Sequence, residues 1–390
     1  MSQQLISRSP DLQRLRNEGY DIAISAGYLL LKDVPYVNAA KEVKRGILVS
    51  DLHLAGDRTA PPTGRHVAYW IGEHPCTNLG VAISAIKHGS NHQKLAEGLE
   101  VDHSFSNKPA ADYPDYYEKM TRYVTIIEHY AQAIEPSAAA KTFPPIRATE
   151  PHSVFEYIDT ASSRAGIAAV MQKLELRKIV IVGLGGSGSY VLDLVAKTPV
   201  REILLYDSDT FLQHNAFRAP GAPSIEELEQ RQTKVARFAQ IYSRMHRNIV
   251  PHDAVTEMNV DELRDADFVF ICIDETKAKQ LIIERLETFG VSFIDVGIGL
   301  DLTDGALGGI LRTTTSTKAK HDHVEKRVPL NAAEDDEYAT NIQIAELNAL
   351  NAALAVIKWK KLCGFYRDLE LEHDSTYTID GNTIANEERS

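Results

Sequence analysis

Cysteine is scarce in this sequence. Its 390 residues include only Cys76, Cys272 and Cys363. Three scattered thiols exclude a disulfide framework and a CxxC zinc site. Excess positive charge is missing too. A formal net charge of −12 argues against a general nucleic-acid or anionic-membrane binder, which would carry a basic footprint. No apolar run approaches the ~20 residues that span a bilayer. The opening, MSQQLISRSPDLQRLRNEGYD, lacks the basic-then-apolar pattern of a signal peptide. The expected compartment is therefore the reducing cytoplasm. No internal repeat of fixed period is present.

What is there is ordinary globular chemistry, with 44% hydrophobic and 25% charged residues, in a chain long enough for two domains. Residues 20–50 read as strands, as does HVAYWI at 66–71. Tyr116, Met120, Tyr123, Ile127 and Tyr130 recur at three- and four-residue steps, which predicts a helix over 115–134. The proline-rich stretch 135–151 loses periodicity and reads as a linker or an extended docking segment. From 178 onward KIVIVG, EILLYD, DFVFICID and SFIDVG alternate with helix-length segments, followed by GALGGILRTTTST and a long helix over 341–362. That alternation predicts an α/β domain with a mainly parallel, Rossmann-like sheet at 155–390. A smaller α+β domain is expected at 1–140.

Gly183, Gly185, Gly186 and Gly188 follow KIVIVG and open a helix. Glycines there let backbone approach a phosphate at the positive helix end, whether of NAD, FAD or ATP. Asp207 ends the next strand, where a carboxylate can grip ribose hydroxyls. A dehydrogenase would require little more. This chain continues with Asp209, Asn215, Arg218 and Lys234, and Asp274 follows the strand that begins at 267. Cationic side chains suit a triphosphate that develops charge as pyrophosphate leaves. An aspartate at a strand end can hold the accompanying Mg²⁺.

GLGGSG, DSDTFLQHNAFR, Lys234 and the CID ending at Asp274 together resemble the adenylation domain of the ThiF/MoeB-type, ubiquitin-activating-enzyme-like family, over roughly 160–365. The resemblance implies ATP and Mg²⁺ as ligands. Asp207 would bind the ribose, Asn215, Arg218 and Lys234 the phosphates, and Asp274 the metal. Arg164, in DTASSRAGI, matches a phosphate-contacting arginine that a partner subunit sometimes supplies. The implied reaction joins the C-terminal carboxylate of a ubiquitin-like protein to AMP. Implied partners are that carrier, a conjugating-enzyme-like protein and a second copy of the chain, with neither nucleic acid nor membrane. A NAD-dependent oxidoreductase and a non-catalytic nucleotide-binding scaffold are the competing readings.

The chain departs from the family at its thiols. Residues 312–340 hold no cysteine nucleophile and no paired CxxC ligands. Cys272 reads as buried within a strand, Cys363 as helix packing, and Cys76, in a turn-like stretch, as the exposed one. Hydroxyls at 313–317 are an alternative acyl acceptor, though a hydroxyl is weak without a base. His321 and His323 read as a solvated loop. In the amino-terminal half, DLH at 51–53 and NH at 91–92 imitate a metallophosphoesterase without its second aspartate. His66, Glu73 and His103 read as a structural polar cluster. This half resembles an amino-terminal domain fused to bacterial activating-enzyme homologues that occur with ubiquitin-like proteins and JAB-type peptidases.

Overall fold

The computed structural model describes residues 2–150, 152–330 and 342–389. The chain divides into two compact units, Met1–Pro151 and His152–Ser390.

In the first unit a six-stranded sheet has neighbours in the order Ile22–Ser25, Tyr28–Val37, Val43–Asp51, Val67–Ile71, His103–Ser106 and Lys87–Gly89. Every pairing is antiparallel. Helix Tyr116–Gln132 starts where the Asp115 carboxylate accepts from the Glu118 amide, a side-chain cap for an otherwise unpaired donor. Its apolar stripe behaves as the spacing predicts: Tyr116, Met120, Tyr123 and Ile127 are fully buried against the strands. Lys119 is carried inside as well, with Nζ 2.8 Å from Ser50 Oγ and 3.4 Å from Asp51.

The stretch after this helix is not a loose tether. Ala138 and Ala140 are buried, and the Phe143 amide donates to the Gly19 carbonyl at 2.9 Å. The Arg147 carbonyl accepts from Gln3. Extended backbone lacks internal hydrogen bonds, so it takes partners from the unit's own amino terminus. His66, Glu73 and His103 each have different company. The His66 carbonyl accepts from Tyr123, Glu73 is held by Asn38, and His103 packs on His74 with ring centroids 5.0 Å apart.

The second unit is built on eight strands: β1 (Lys178–Val182), β2 (Glu202–Tyr206), β3 (Ile249–His252), β4 (Phe268–Ile271), β5 (Phe293–Thr303), β6 (Ala306–Ser316), β7 (Asp374–Thr378) and β8 (Thr383–Glu387). Their order across the sheet is β3-β2-β1-β4-β5-β6-β7-β8. The first five run parallel and the remainder pair antiparallel. Helices α1 (Gly186–Val195), α2 (Lys234–Tyr242), α3 (Thr276–Phe289) and α4 (Ala345–Leu362) complete the layers. Because side chains alternate along a strand, Ile179 and Ile181 pack towards α1 and α4, while Val180 and Val182 pack towards α3. Burial on both faces is why these strands read as continuous apolar runs.

Charge is buried beside this core. Asp295 on β5 has no exposure, and its two oxygens meet Lys279 of α3 at 2.9 Å and Arg312 of β6 at 2.6 Å. Among the described residues no helix is long and apolar enough to cross a membrane.

Candidate nucleotide site

Strands β1, β2 and β4 end along one edge, and the backbone amide of Cys272 donates to the Val182 carbonyl at 2.7 Å across it. The chain leaves β1 through Gly183, whose φ of +88° suits glycine. A Cβ on Gly188 would lie 1.8 Å from the Gly183 carbonyl oxygen, and one on Gly186 would lie 2.1 Å from Asn348 Nδ2. These glycines are required by protein packing. Gly185 differs: a Cβ there would meet nothing within 4 Å. It caps α1 and lines a cavity of about 340 Å³. The first turn of a ten-residue helix presents unpaired amides and a partial positive charge at this corner.

The cavity gathers Gly183, Gly185, Gly186, Asp207, Asp209, Arg218, Lys234 and Asp274. The Asp207 carboxylate accepts from the Leu184 amide at 2.7 Å and from the Asp209 amide at 2.8 Å, which locks the β2 end against the glycine loop. Lys234 opens α2, where the Thr233 side chain caps the helix. Its Nζ lies 2.6 Å from Asp209 and 3.4 Å from Asp207. Arg218 contributes a buried Nε with no hydrogen-bond partner among the described residues. Such an orphaned donor is costly unless a ligand satisfies it. Asp274 lies past β4, exposed, and its Oδ2 accepts from Gln343 at 3.4 Å.

Three expected residues stand back from the cavity lining. Gly188 is buried inside α1. Asn215 is 3% exposed and accepts from the Leu212 amide, so its carbonyl shapes the turn leading to Arg218. Its Nδ2 is buried without a partner among the described residues. Arg164 ends the helix Thr160–Arg164 and is exposed. Sequence reasoning missed Ser187, Val296, Ile298 and Asn348, which also line the cavity. Ser187 could have been found from its place in the helix's first turn. Asn348 gave no local signal.

The thiols correct the sequence reading twice. Cys76 is only 4% exposed, because backbone bridges to Val37 and Ala82 clamp its turn. Cys272 sits one residue beyond β4, half-buried, and lines the cavity. Burial pushes the Cys76 and Cys272 thiols up, and that of Cys363 to about 11, so none is poised as a thiolate. Thr313, Thr314, Thr315 and Ser316 are buried on β6, and Thr314 already donates to Asp374 at 2.6 Å. This row of hydroxyls is sheet interior, not an exposed acceptor. His323 is likewise buried, not solvated.

Residues 159–366 match the model of the ThiF family. The chain belongs to that family. The ThiF fold is that of an ATP-dependent adenylyltransferase. Residues 10–160 match a domain of unknown function, DUF6791. Among solved structures, PaaA is 15% identical with a TM-score of 0.45, covering 56% of this chain and 75% of its own. E. coli MccB with ATP is 19% identical with a TM-score of 0.44, covering 59% and 70%. MccB in complex with N-formylated MccA gives 19% and 0.46 over the same shares. Comparison with curated protein sequences returned no match.

Proposed function

We propose that the ThiF unit activates the C-terminal carboxylate of a ubiquitin-like protein with ATP and Mg²⁺. A carboxylate oxygen attacks the α-phosphorus, the bond to the bridging oxygen breaks, and pyrophosphate leaves with that electron pair. Gly185 and the amides of the first α1 turn receive phosphate, and Asp207, with Asp209 at its shoulder, faces the ribose. Asn215 holds the turn that presents Arg218. Arg218 and Lys234 offset the repulsion between the two anions as charge develops. Asp274 would hold the magnesium, one carboxylate alongside phosphate oxygens being a set this ion accepts. The metal supplies neutralisation of the departing pyrophosphate. No protein thiol enters this half-reaction.

The observation that carries this reading is the orphaned Arg218 Nε in a cavity whose glycine corner opens at Gly185. Anionic ligands satisfy both features. The working boundaries are 1–140 and 155–390, and the amino-terminal unit docks the carrier or a conjugating-enzyme-like partner. Ile357 and Leu362 of α4 are exposed and support pairing of two copies, in which Arg164 of one serves the phosphates of the other. Pyrophosphate exchange into ATP, with and without candidate carriers, tests the reaction. Calorimetry should give tighter binding of ATP with Mg²⁺ than of NAD. Tighter NAD binding would sink the proposal.

A further inference from the structure

The wall that α4 contributes to the cavity holds a buried amide left unused by the chemistry above. Asn348 is 1% exposed. Its Oδ1 accepts from the Ser187 hydroxyl at 3.1 Å, and its Nδ2 donates to the Arg218 carbonyl at 3.4 Å. One side chain thus ties the first turn of α1 to the residue that carries the guanidinium. Gly186 leaves it room, since a Cβ there would strike all three polar-head atoms within 2.4 Å. Burying an amide costs stability unless both ends are paired, and an apolar residue would pack α4 at lower cost. The Arg218 amide is fixed too, by the Asn215 carbonyl at 3.1 Å. The Arg218 backbone is therefore gripped on both sides, while its Nε has no partner among the described residues.

We infer that Asn348 is a positioning residue: it sets the separation between the amide-lined corner and the Arg218 guanidinium, so that both engage one phosphate chain in line. This rests on the nucleotide reading above. Misplacing a group that acts only as charge develops lowers kcat more than it raises KM.

Asn348→Ala should reduce kcat for pyrophosphate exchange by about 10- to 100-fold, the penalty of roughly 1 Å of misplacement. KM for ATP should move by less than about threefold, as expected when ground-state binding is largely kept. In an Arg218→Ala background the same substitution should cost less than about twofold, because coupled residues fail additivity. Asn348→Asp keeps the volume and the Ser187 contact but faces the Arg218 carbonyl with an acceptor, so it should also lose kcat. It serves if the alanine variant does not fold. Equal losses in both backgrounds, or a full rate for Asn348→Asp, would overturn the assignment and leave α4 packing as the explanation. Wild-type protein that binds no ATP, or Arg218→Ala at full rate, would instead overturn the nucleotide reading itself.

Discussion

Lys234 is wedged between two carboxylates, 2.6 Å from Asp209 and 3.4 Å from Asp207. The two contacts are unequal in kind. Asp207 is as enclosed as the lysine, whereas the Asp209 side chain is 71% exposed. An exposed partner contributes little in water and is easily exchanged. Under the proposed function the ammonium would leave Asp209 for phosphate while Asp207 keeps its backbone amides. Lys234→Met should lower pyrophosphate exchange by about 10²–10³-fold, the usual loss for one preorganised charge-stabilising group. Asp209→Asn should shift unfolding by less than about 1 kcal/mol. Exchange kinetics and urea denaturation measure the two effects.

Asp274→Ala should abolish magnesium-dependent exchange without unfolding the chain, since this carboxylate is exposed beyond β4. Several kcal/mol of Lewis-acid stabilisation would be lost with the ligand. A folded variant that exchanges fully would place the metal elsewhere.

Much of the ThiF unit was legible because its parallel strands are buried on both faces and so spell out apolar runs. β3 was not: IVPH is four residues long, carries a proline and lies at the sheet edge. In the amino-terminal unit the stripe from Tyr116 to Ile127 announced its helix, but the docking of 138–147 rests on backbone partners that leave no side-chain pattern. At the site, the order of Asp207, Lys234 and Asp274 was readable because each follows a strand or opens a helix, whereas Arg218, in the turn after the short helix Gln213–Ala216, was readable only through the family's motif order. Asn348 reaches the cavity only through tertiary packing of α4. The same holds for the burial of Cys76, decided by backbone bridges, and of Thr313 to Ser316, decided by flanking strands.

Asp295→Ala should be the most damaging of these substitutions to stability. It would leave Lys279 and Arg312 as enclosed, uncompensated cations, at a cost of about 3–5 kcal/mol. Asp295→Asn retains hydrogen-bond acceptance and should cost less. The transition of the ThiF unit in chemical denaturation reads both, and an unchanged midpoint for the alanine variant would refute the buried triad.

Lys119 gives the amino-terminal unit a pH signature. Burial, only partly offset by Asp51, lowers its pKa from the ordinary lysine range to about 8. Between about pH 8 and the unfolded value, the unfolded chain holds more protons than the folded one. Stability should therefore rise with pH across that window, by an amount on the order of 3 kcal/mol. Lys119→Met should remove this rise and leave stability at pH 7 equal or higher. Comparing the two proteins pH by pH cancels the tyrosine titrations. A wild-type curve parallel to that of the variant would show that the lysine is not buried in solution.

A variant with all three cysteines replaced by alanine should retain adenylation, because the chemistry at phosphorus uses no thiol. Slow alkylation of the native protein at pH 8 is expected because burial pushes all three thiols up and keeps them protonated. A reductant-sensitive carrier adduct that disappears with Cys272→Ala alone would show that the cavity opens enough to ionise this sulfur.

The sheet of the ThiF unit changes character at β5, and with it the order in which contacts can form. β5 and β6 close through Thr303 and Ala306, and β7 and β8 through Thr378 and Thr383. Ile179 and Phe268, by contrast, must meet across the whole β1–β4 crossover. Short closures cost less chain entropy and are faster. The hairpins should therefore acquire hydrogen-exchange protection early in refolding, with the β1–β4 ladder later. The corner at Gly185 lies on the slow side of that divide. A nucleotide would then act as a clasp on the last part of the unit to assemble, speeding little of its folding but slowing its unfolding.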